Sequence, residues 1–306
     1  MLSLAEQARA RAGIRRRRSD LLRSLIVFLG PALLIIAAIY VFPIGDVVRL
    51  SLFHRSLFGG VDHFVGLDNF VAVVQDPEFA NDLVLTVIWT VGTVVLEITL
   101  GLLAALILME RHIVNRVIRP LVLMPWVLSG IVVATLWRWL LGGDNAPINE
   151  ILSVVHLGPY GWLAQPGWAM ASVIIANVWK SIPFVTVMYL AGLSAIPVDL
   201  YEAAALDGAN GWQRFWTITL PSLRSVSSVL VLLATIWTVT FFDIVYAMTG
   251  GGPAQSTEIL PLLVYKDTFQ NFDFGAGSAV AILLALINAV FMAIYAVTFE
   301  RRQATT

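Results

Sequence analysis

The stretch LVLTVIWTVGTVVLEITLGLLAALILM, Leu83 to Met109, carries a single charge, Glu97. It is longer than the about 20 apolar residues that a helix needs to cross the hydrocarbon of a bilayer. The rest of the chain agrees with it. Of 306 residues, 58% are hydrophobic and 13% charged, against about 25% charged in a soluble globular domain. A chain of this size cannot hide that much apolar surface from water, so the composition predicts burial in a membrane. The net charge of −1 argues against nucleic acid as a partner, and the absence of cysteine excludes disulfides and thiolate chemistry.

Six stretches qualify as spans: about Leu25–Ile44, Leu83–Met109, Arg119–Leu141, Trp168–Leu190, Val226–Thr249 and Ala276–Phe299. The first is too long for the 7–15-residue core of a signal peptide and ends in Tyr40-Val41-Phe42-Pro43, so it reads as an uncleaved span. With the N-terminus inside, the inner segments hold Arg9, Arg11, Arg15–Arg18, Arg23, Arg111, Arg116, Arg119, Arg214, Arg224, Arg301 and Arg302, fourteen of the 19 basic residues. Arg49, Arg55, Arg138 and Lys266 fall outside, and Lys180 within a span. Cytoplasmic loops are the basic ones, so both termini are placed in the cytoplasm. The reading is an all-α integral membrane protein with a basic tail (1–24), a transmembrane domain (25–299) and a short tail (300–306). Its longest inner loop covers 191–225.

That loop contains Ile196-Pro197-Val198-Asp199-Leu200-Tyr201-Glu202-Ala203-Ala204-Ala205-Leu206-Asp207-Gly208 and, further on, Gly211-Trp212-Gln213-Arg214-Phe215-Trp216-Thr217-Ile218-Thr219-Leu220-Pro221. Asp199 and Glu202 have capping-box spacing, Ala203 to Leu206 favour helix, and Asp207-Gly208 supplies a terminator. A second short helix is expected from about Gly211 to Thr219, stopped by Pro221. The pair would lie on the inner membrane face, offering Ala203, Ala204 and Leu206 for docking. An ordinary amphipathic loop fits the same residues.

The order Glu202-Ala203-Ala204, Gly208, Ile218, Leu220 and Pro221 resembles the "EAA" signature of the membrane subunits of bacterial ABC importers. Phe64-Val65-Gly66-Leu67-Asp68-Asn69-Phe70, Leu123-Met124-Pro125-Trp126, Asn177-Val178-Trp179-Lys180-Ser181-Ile182-Pro183-Phe184 and Thr249-Gly250-Gly251-Gly252-Pro253 look like its carbohydrate-uptake branch. Within it they resemble the first permease subunit of maltose, trehalose and glycerol-3-phosphate systems. The resemblance implies a type I importer permease fold in the bacterial inner membrane. Its partners would be a second homologous permease, a dimer of ATPase subunits and an extracytoplasmic solute-binding protein. It places ATPase coupling on Glu202, Ala203, Ala204, Asp207, Gly208, Ile218, Leu220 and Pro221. It implies no cofactor here, ATP and Mg2+ being held by the ATPase. The chain's two lysines, Lys180 and Lys266, sit in no Gly-x-x-x-x-Gly-Lys-Ser/Thr loop, the pattern that cradles nucleotide phosphates.

A charge at mid-bilayer costs roughly 2.5–3.5 kcal/mol on insertion scales, which directs attention to Glu97, Lys180 and Asp243. Asn177 and Ser181 share a helix face by their spacing, with Trp179 and Lys180 beside them and Trp237, Thr238 and Phe241 in the fifth span. Such a mixture suits sugars, whose C–H faces meet aromatics and whose hydroxyls meet polar groups. Alignment with the maltose permease puts these seven residues on or beside its substrate path, in a subunit that imports a sugar or a sugar derivative by alternating access. Hydroxyls bonding across packed helices account for the same Ser and Thr residues, and Lys180 fits equally an ion pair with Glu97 or Asp243. A secondary transporter would need an internal repeat, and none is visible. His54, His63, His112 and His156 form no His-Glu-x-x-His, and no Gly-x-Ser-x-Gly elbow occurs, so hydrolytic chemistry finds no site.

Overall fold

The computed structural model describes residues 27–55, 62–109 and 122–303. The basic tail 1–24, the inner loop 110–118, the first residues of the third predicted span and residues 304–306 lie outside the described residues. Helices account for most of the described residues. Helix α1 is Val27–Ser51, followed by a two-residue ladder of β1, Phe53–His54, and β2, His63–Phe64, antiparallel with Phe53 opposite Phe64. Then come α2 (Asp68–Gln75), α3 (Pro77–Met109), α4 (Gly130–Leu141), α5 (Pro147–Ser153) and α6 (Pro166–Ser194). The chain continues through α7 (Val198–Leu206), α8 (Gly211–Ser222), α9 (Arg224–Thr240), α10 (Asp243–Met248), α11 (Leu260–Tyr265) and α12 (Phe274–Gln303).

Four helices among the described residues are long and apolar enough to cross a membrane: α1, α3, α6 and α12 up to Thr298. A fifth appears if α8 and α9, bent by 63°, are taken as one. The third and fifth predicted spans are not continuous helices. One breaks at Leu128-Ser129, where the Ser129 hydroxyl accepts from the Val132 N–H and starts α4. The other breaks at Phe241-Phe242, with Phe241 extended (φ −91°, ψ 118°) between α9 and α10. Ending α9 there strands carbonyls that have no later helical N–H. The buried Trp89 of α3 answers one of them, its indole N–H donating to Thr238 O at 3.0 Å.

Two prolines expected to disturb helices are absorbed. Pro43 and Pro221 each follow a π-helical turn, Ala37–Val41 and Phe215–Thr219. The wider turn shifts the hydrogen-bond ladder just ahead of a residue with no N–H to contribute. So Pro221 does not stop α8, which runs on to Ser222.

Small residues set how closely the long helices approach. A Cβ on Gly101 of α3 would lie 2.5 Å from Val185 Cγ1 of α6, and one on Gly92 would lie 3.0 Å from Ile174 Cδ1. Overpacking a tight contact costs about 1–3 kcal/mol. Gly101→Leu is therefore expected to lower the thermal unfolding temperature of the purified chain in detergent. An unchanged melting curve would mean that the helices do not meet this closely.

Asn69, in the motif after the first span, fixes the end of α1 to the start of α12. Its amide donates to Ser51 O (2.8 Å) and Phe53 O (3.0 Å), while Gly275 packs against the same carbonyl and amide. Buried apolar residues gather in three groups. One, with Trp89, Val133, Ile174 and Ile244, lies towards the loops 142–165 and 249–259. Another joins α2, α3 and α12 through Val73, Phe79 and Val280. The third, with Val185, Tyr189, Leu193 and Leu223, lies towards α7 and α8. By contrast α1 buries nothing in its most apolar window, with Phe28 81% and Leu34 72% exposed. An apolar helix this bare is built for lipid or another subunit.

Candidate functional site: a cavity at two broken helices

Between α3, α6, α9 and residues 122–127 lies a cavity of about 310 Å3. Helix α6 contributes Asn177, Lys180, Ser181 and Phe184, at i, i+3, i+4 and i+7, which is one face of a helix. Helix α9 contributes Leu230, Ala234, Trp237 and Thr238, and the break after it contributes Phe241. Glu97 of α3 and Trp126 complete the wall. Six of the seven residues singled out for a substrate path are thus brought together. Trp179 is not among them: two residues from Asn177 it sits roughly 200° round the helix, where it meets Trp137 edge-on with ring centres 6.1 Å apart.

The second break borders this space through Phe241, and the two breaks touch. A Cβ on Gly130, directly after the first break, would stand 2.8 Å from Phe241 Cζ and 3.1 Å from Asp243 Cβ. Irregular backbone inside a span is tolerated where it is buried in protein or lines a cavity; Phe241 lines the cavity, and Gly130 packs against it. The aromatic rings form a file, with Trp126 5.6 Å from Phe184 and Phe184 5.2 Å from Trp237.

The charges are placed unequally. Lys180 Nζ rests over the Phe241 ring, 5.4 Å from its centre. Glu97, 3% exposed, stands in the wall with Ser181. Glu97, Trp126 and Phe184 were not picked out as substrate residues from sequence. Phe184 was legible as the next position on the Asn177–Ser181 face. Glu97 closes a buried polar stripe of Asp82, Thr86, Thr90 and Thr93, whose spacing keeps it within an arc of about 80° on α3.

The loop 191–225 folds as two helices. Helix α7 ends as its glycine dictates: Gly208 has φ +82°, and Ala209 N–H reaches Ala204 O at 2.9 Å, a left-handed terminator. Its start differs from expectation. Pro197 stands at the N-cap and no side chain caps the helix, so Asp199 lies inside the first turn and forms no capping box with Glu202. The locked φ of Pro197 suits helix initiation and starts α7 early. The capping box is at α8 instead, where Asn210 Oδ1 accepts from Gln213 N–H (2.9 Å) and Gln213 Oε1 from Asn210 N–H (2.8 Å).

Glu202, Ala203, Asp207, Gly208 and Pro221 are exposed, and Leu206 is 90% exposed. Ala204 and Leu220 are half-buried. Ile218 instead packs inward with Tyr201 against the third apolar group, and Tyr201 Oη meets Thr219 Oγ1 at 2.9 Å. The signature therefore divides into an exposed ridge and an anchored base. On the opposite loops, Gly250 (φ +60°) and Gly251 (φ +93°) form a fixed turn, with Gly251 packed beside the ion pair of Lys266 and the buried Glu258.

Comparison with known proteins agrees with this architecture. Residues 97–303 match the model of the binding-protein-dependent transport system inner membrane component family. The trehalose/maltose transport system permease protein MalF of Thermococcus litoralis is 39% identical over 87% of this chain and 90% of its own. The sulfoquinovosyl glycerol transport system permease protein SmoG of Agrobacterium fabrum is 34% identical over 88% of each. The sn-glycerol-3-phosphate transport system permease protein UgpA of Brucella abortus is 34% identical over 85% of this chain and 88% of its own. A bacterial ABC transporter that imports the acidic polysaccharide alginate contains a chain of the same fold, with a TM-score of 0.80 at 22% identity over 95% of this chain and 99% of that one. Two broken helices around a polar and aromatic cavity, with the signature loop at one end, are thus the frame of a permease: the chain belongs to the family of binding-protein-dependent transport system inner membrane components.

Proposed function

We propose that this chain is a transmembrane subunit of an ABC importer that carries a sugar or sugar derivative into the cytoplasm through the cavity at the two broken helices. The observation that carries the reading is the cavity wall. Trp126, Phe184, Trp237 and Phe241 offer ring faces to C–H surfaces, while Asn177, Ser181 and Thr238 offer hydrogen bonds to hydroxyls. Relatives named for trehalose and maltose, and for two charged glycerol derivatives, support the class and leave the cargo's charge open. In this reading the third and fifth predicted spans cross the membrane as broken helices, giving six spans with both termini in the cytoplasm of a bacterial inner membrane. A second permease completes the path, and a solute-binding protein meets the turn at Gly250–Pro253. ATP and Mg2+ act on a separate ATPase dimer, which takes the ridge of Glu202, Ala203, Ala204, Leu206, Asp207 and Gly208.

Vesicles holding the full assembly are expected to take up labelled trehalose or an anionic glycerol derivative only with internal ATP and the binding protein. Uptake driven by an ion gradient, or by this chain alone, would overturn the proposal. The topology has its own test, because the natural chain has no cysteine. In intact cells Leu206→Cys should resist an impermeant thiol reagent and Ile151→Cys, 70% exposed in the wild type, should react; the opposite pattern would reverse the orientation.

A further inference from the structure

A second hollow, of about 420 Å3, lies at the far end of α4 from the first. Gly130, at the start of this helix, packs on Phe241 of the cavity, whereas Arg138 and Gly142, at its other end, enter the second wall. About 16 Å of helix separates the two, at about 1.5 Å per residue. The loops 142–165 and 249–259 supply Asp144, Trp162 and Thr249. In the topology proposed above, the cleft opens on the outer side beside the turn Gly250–Pro253.

One buried side chain builds this cleft. Asn149 is 3% exposed, and its Nδ2 donates to Gly143 O (3.3 Å), Asp144 O (3.3 Å) and Tyr160 O (3.1 Å). Its Oδ1 accepts from Tyr160 N–H (3.1 Å) and from the Trp162 indole N–H (2.9 Å). Tyr160 and Trp168 stand against the Trp162 ring, with centres 5.3 and 5.0 Å away. The ring is thus held in place before any ligand arrives, which lowers the cost of binding one. Within this frame two charges are left open. Arg138 gives one of its five N–H groups to Ala247 O (3.4 Å). The Asp144 carboxylate has no partner among the described residues, and the two do not pair with each other.

We infer that this cleft is a second, outer sugar-binding site, which holds a saccharide unit of the cargo before it reaches the cavity. Each sugar hydroxyl both donates and accepts, so a site for it needs both kinds of partner. Arg138 donates to hydroxyl oxygens, Asp144 accepts hydroxyl protons, and Trp162 offers an aromatic surface to the C–H face of the ring. A ligand carrying one kind of charge satisfies only one of the two ions. The volume falls within the about 300–1,000 Å3 usual for small-molecule sites. The inference rests on the sugar-importer reading and on its topology.

The natural chain has no cysteine, so Ala164→Cys, at an exposed position of the cleft, gives a single reporter on this subunit. The full transporter, purified in detergent without its binding protein, is treated with a maleimide with and without trehalose, and labelling of this chain is read after electrophoresis. Trehalose at about 10 mM should slow labelling about tenfold, the factor 1 + [L]/Kd for a Kd of about 1 mM. Ile151→Cys, 70% exposed and outside the cleft wall, should label at an unchanged rate. Adding Arg138→Gln or Asp144→Asn should remove most of the protection. Both side chains are exposed, so the packing stays intact, and size-exclusion chromatography checks assembly. Labelling that trehalose does not slow, or protection that survives both substitutions, overturns the inference, while ATP-driven trehalose uptake by the same assembly keeps the importer reading. Protection that needs the binding protein and is equal with and without sugar also overturns it, and gives the cleft to that protein. An assembly that takes up no sugar, yet has its ATPase stimulated by a non-sugar cargo, overturns the sugar reading and this inference with it.

Discussion

Gly208→Pro is expected to abolish ATP-driven uptake, by more than about a hundredfold, while the chain still inserts and assembles. Gly208 holds φ +82°, with its N–H on Ala205 O at 3.1 Å and the next N–H on Ala204 O at 2.9 Å. Proline fixes φ near −65° and has no N–H, so it can neither adopt the turn nor make the first bond. The end of α7 would unwind, and with it the exposed ridge that the importer reading gives to the ATPase. The loss should be confined to coupling. Nothing lies within 4 Å of the place where a Gly208 side chain would begin, so a substitution there disturbs no packing. Graded replacements separate backbone from contact. Asn tolerates the left-handed region, so Gly208→Asn should keep most of its activity, whereas Gly208→Val should lose most of it. Uptake and ATP hydrolysis measured on the same vesicles provide the check. Equal uptake by Gly208→Pro and wild type would remove the loop from the coupling path.

The distinction between ridge and base refines the signature. Glu202 and Leu206 are open to solvent, so Glu202→Lys alters only what a partner would meet. Ile218 faces the protein interior beside Tyr201 and Val226, and its truncation would loosen α8 rather than remove a contact. Gly192, where a Cβ would stand 2.9 Å from Leu223 Cδ2, seats the end of α6 directly on this base. A force applied to the ridge therefore has a packed route to α6, the helix that carries Asn177, Lys180 and Ser181. Packed elements of this kind change position as bodies rather than by gradual bending.

Composition and local chemistry made several of these features readable in the sequence. Long apolar runs located α1, α3, α6 and α12, because a run of that length has few alternatives. Gly208 was legible because the left-handed terminator is a property of one residue. The choice of capping box was not. Asp199-x-x-Glu202 and Asn210-x-x-Gln213 fit the same pattern, and Pro197, which starts α7 two residues too early for Asp199, decides between them. The breaks were harder still. Phe241 and Phe242 carry no turn signal; what halts α9 there is tertiary, namely the Trp89 indole on Thr238 O and the Gly130 surface under Phe241. Ser129-Gly130 did offer a local sign, a capping residue followed by glycine, but the hydropathy on either side masked it. In the site, neighbours in sequence misled where neighbours on a helix did not. Trp179 was included for adjacency and faces away, while Phe184, a full two turns from Asn177, faces in.

Because the breaks touch at Gly130, that residue offers the second large effect. Gly130→Leu is expected to cut ATP-driven uptake by roughly 5–150-fold, the factor that corresponds to the 1–3 kcal/mol of an overpacked contact. A leucine there cannot coexist with Phe241 Cζ at 2.8 Å and Asp243 Cβ at 3.1 Å. Either Phe241 is driven into the cavity, or α10 moves off α4. The first course displaces the ring on which Lys180 rests and narrows the path; the second opens the apolar group around Ile244 and Val245. The two are distinguishable. With Phe241 displaced inward, binding of trehalose to the purified transporter weakens and the unfolding temperature stays near that of the wild type. With α10 displaced, the unfolding temperature falls as well. Pairing the substitution with Phe241→Ala should restore transport in the first case, since the smaller side chain makes room for the leucine, and leave it low in the second. If Gly130→Leu alone transports like the wild type, the two breaks are not in contact during the cycle, and the cavity beside Phe241 is not the path of the cargo.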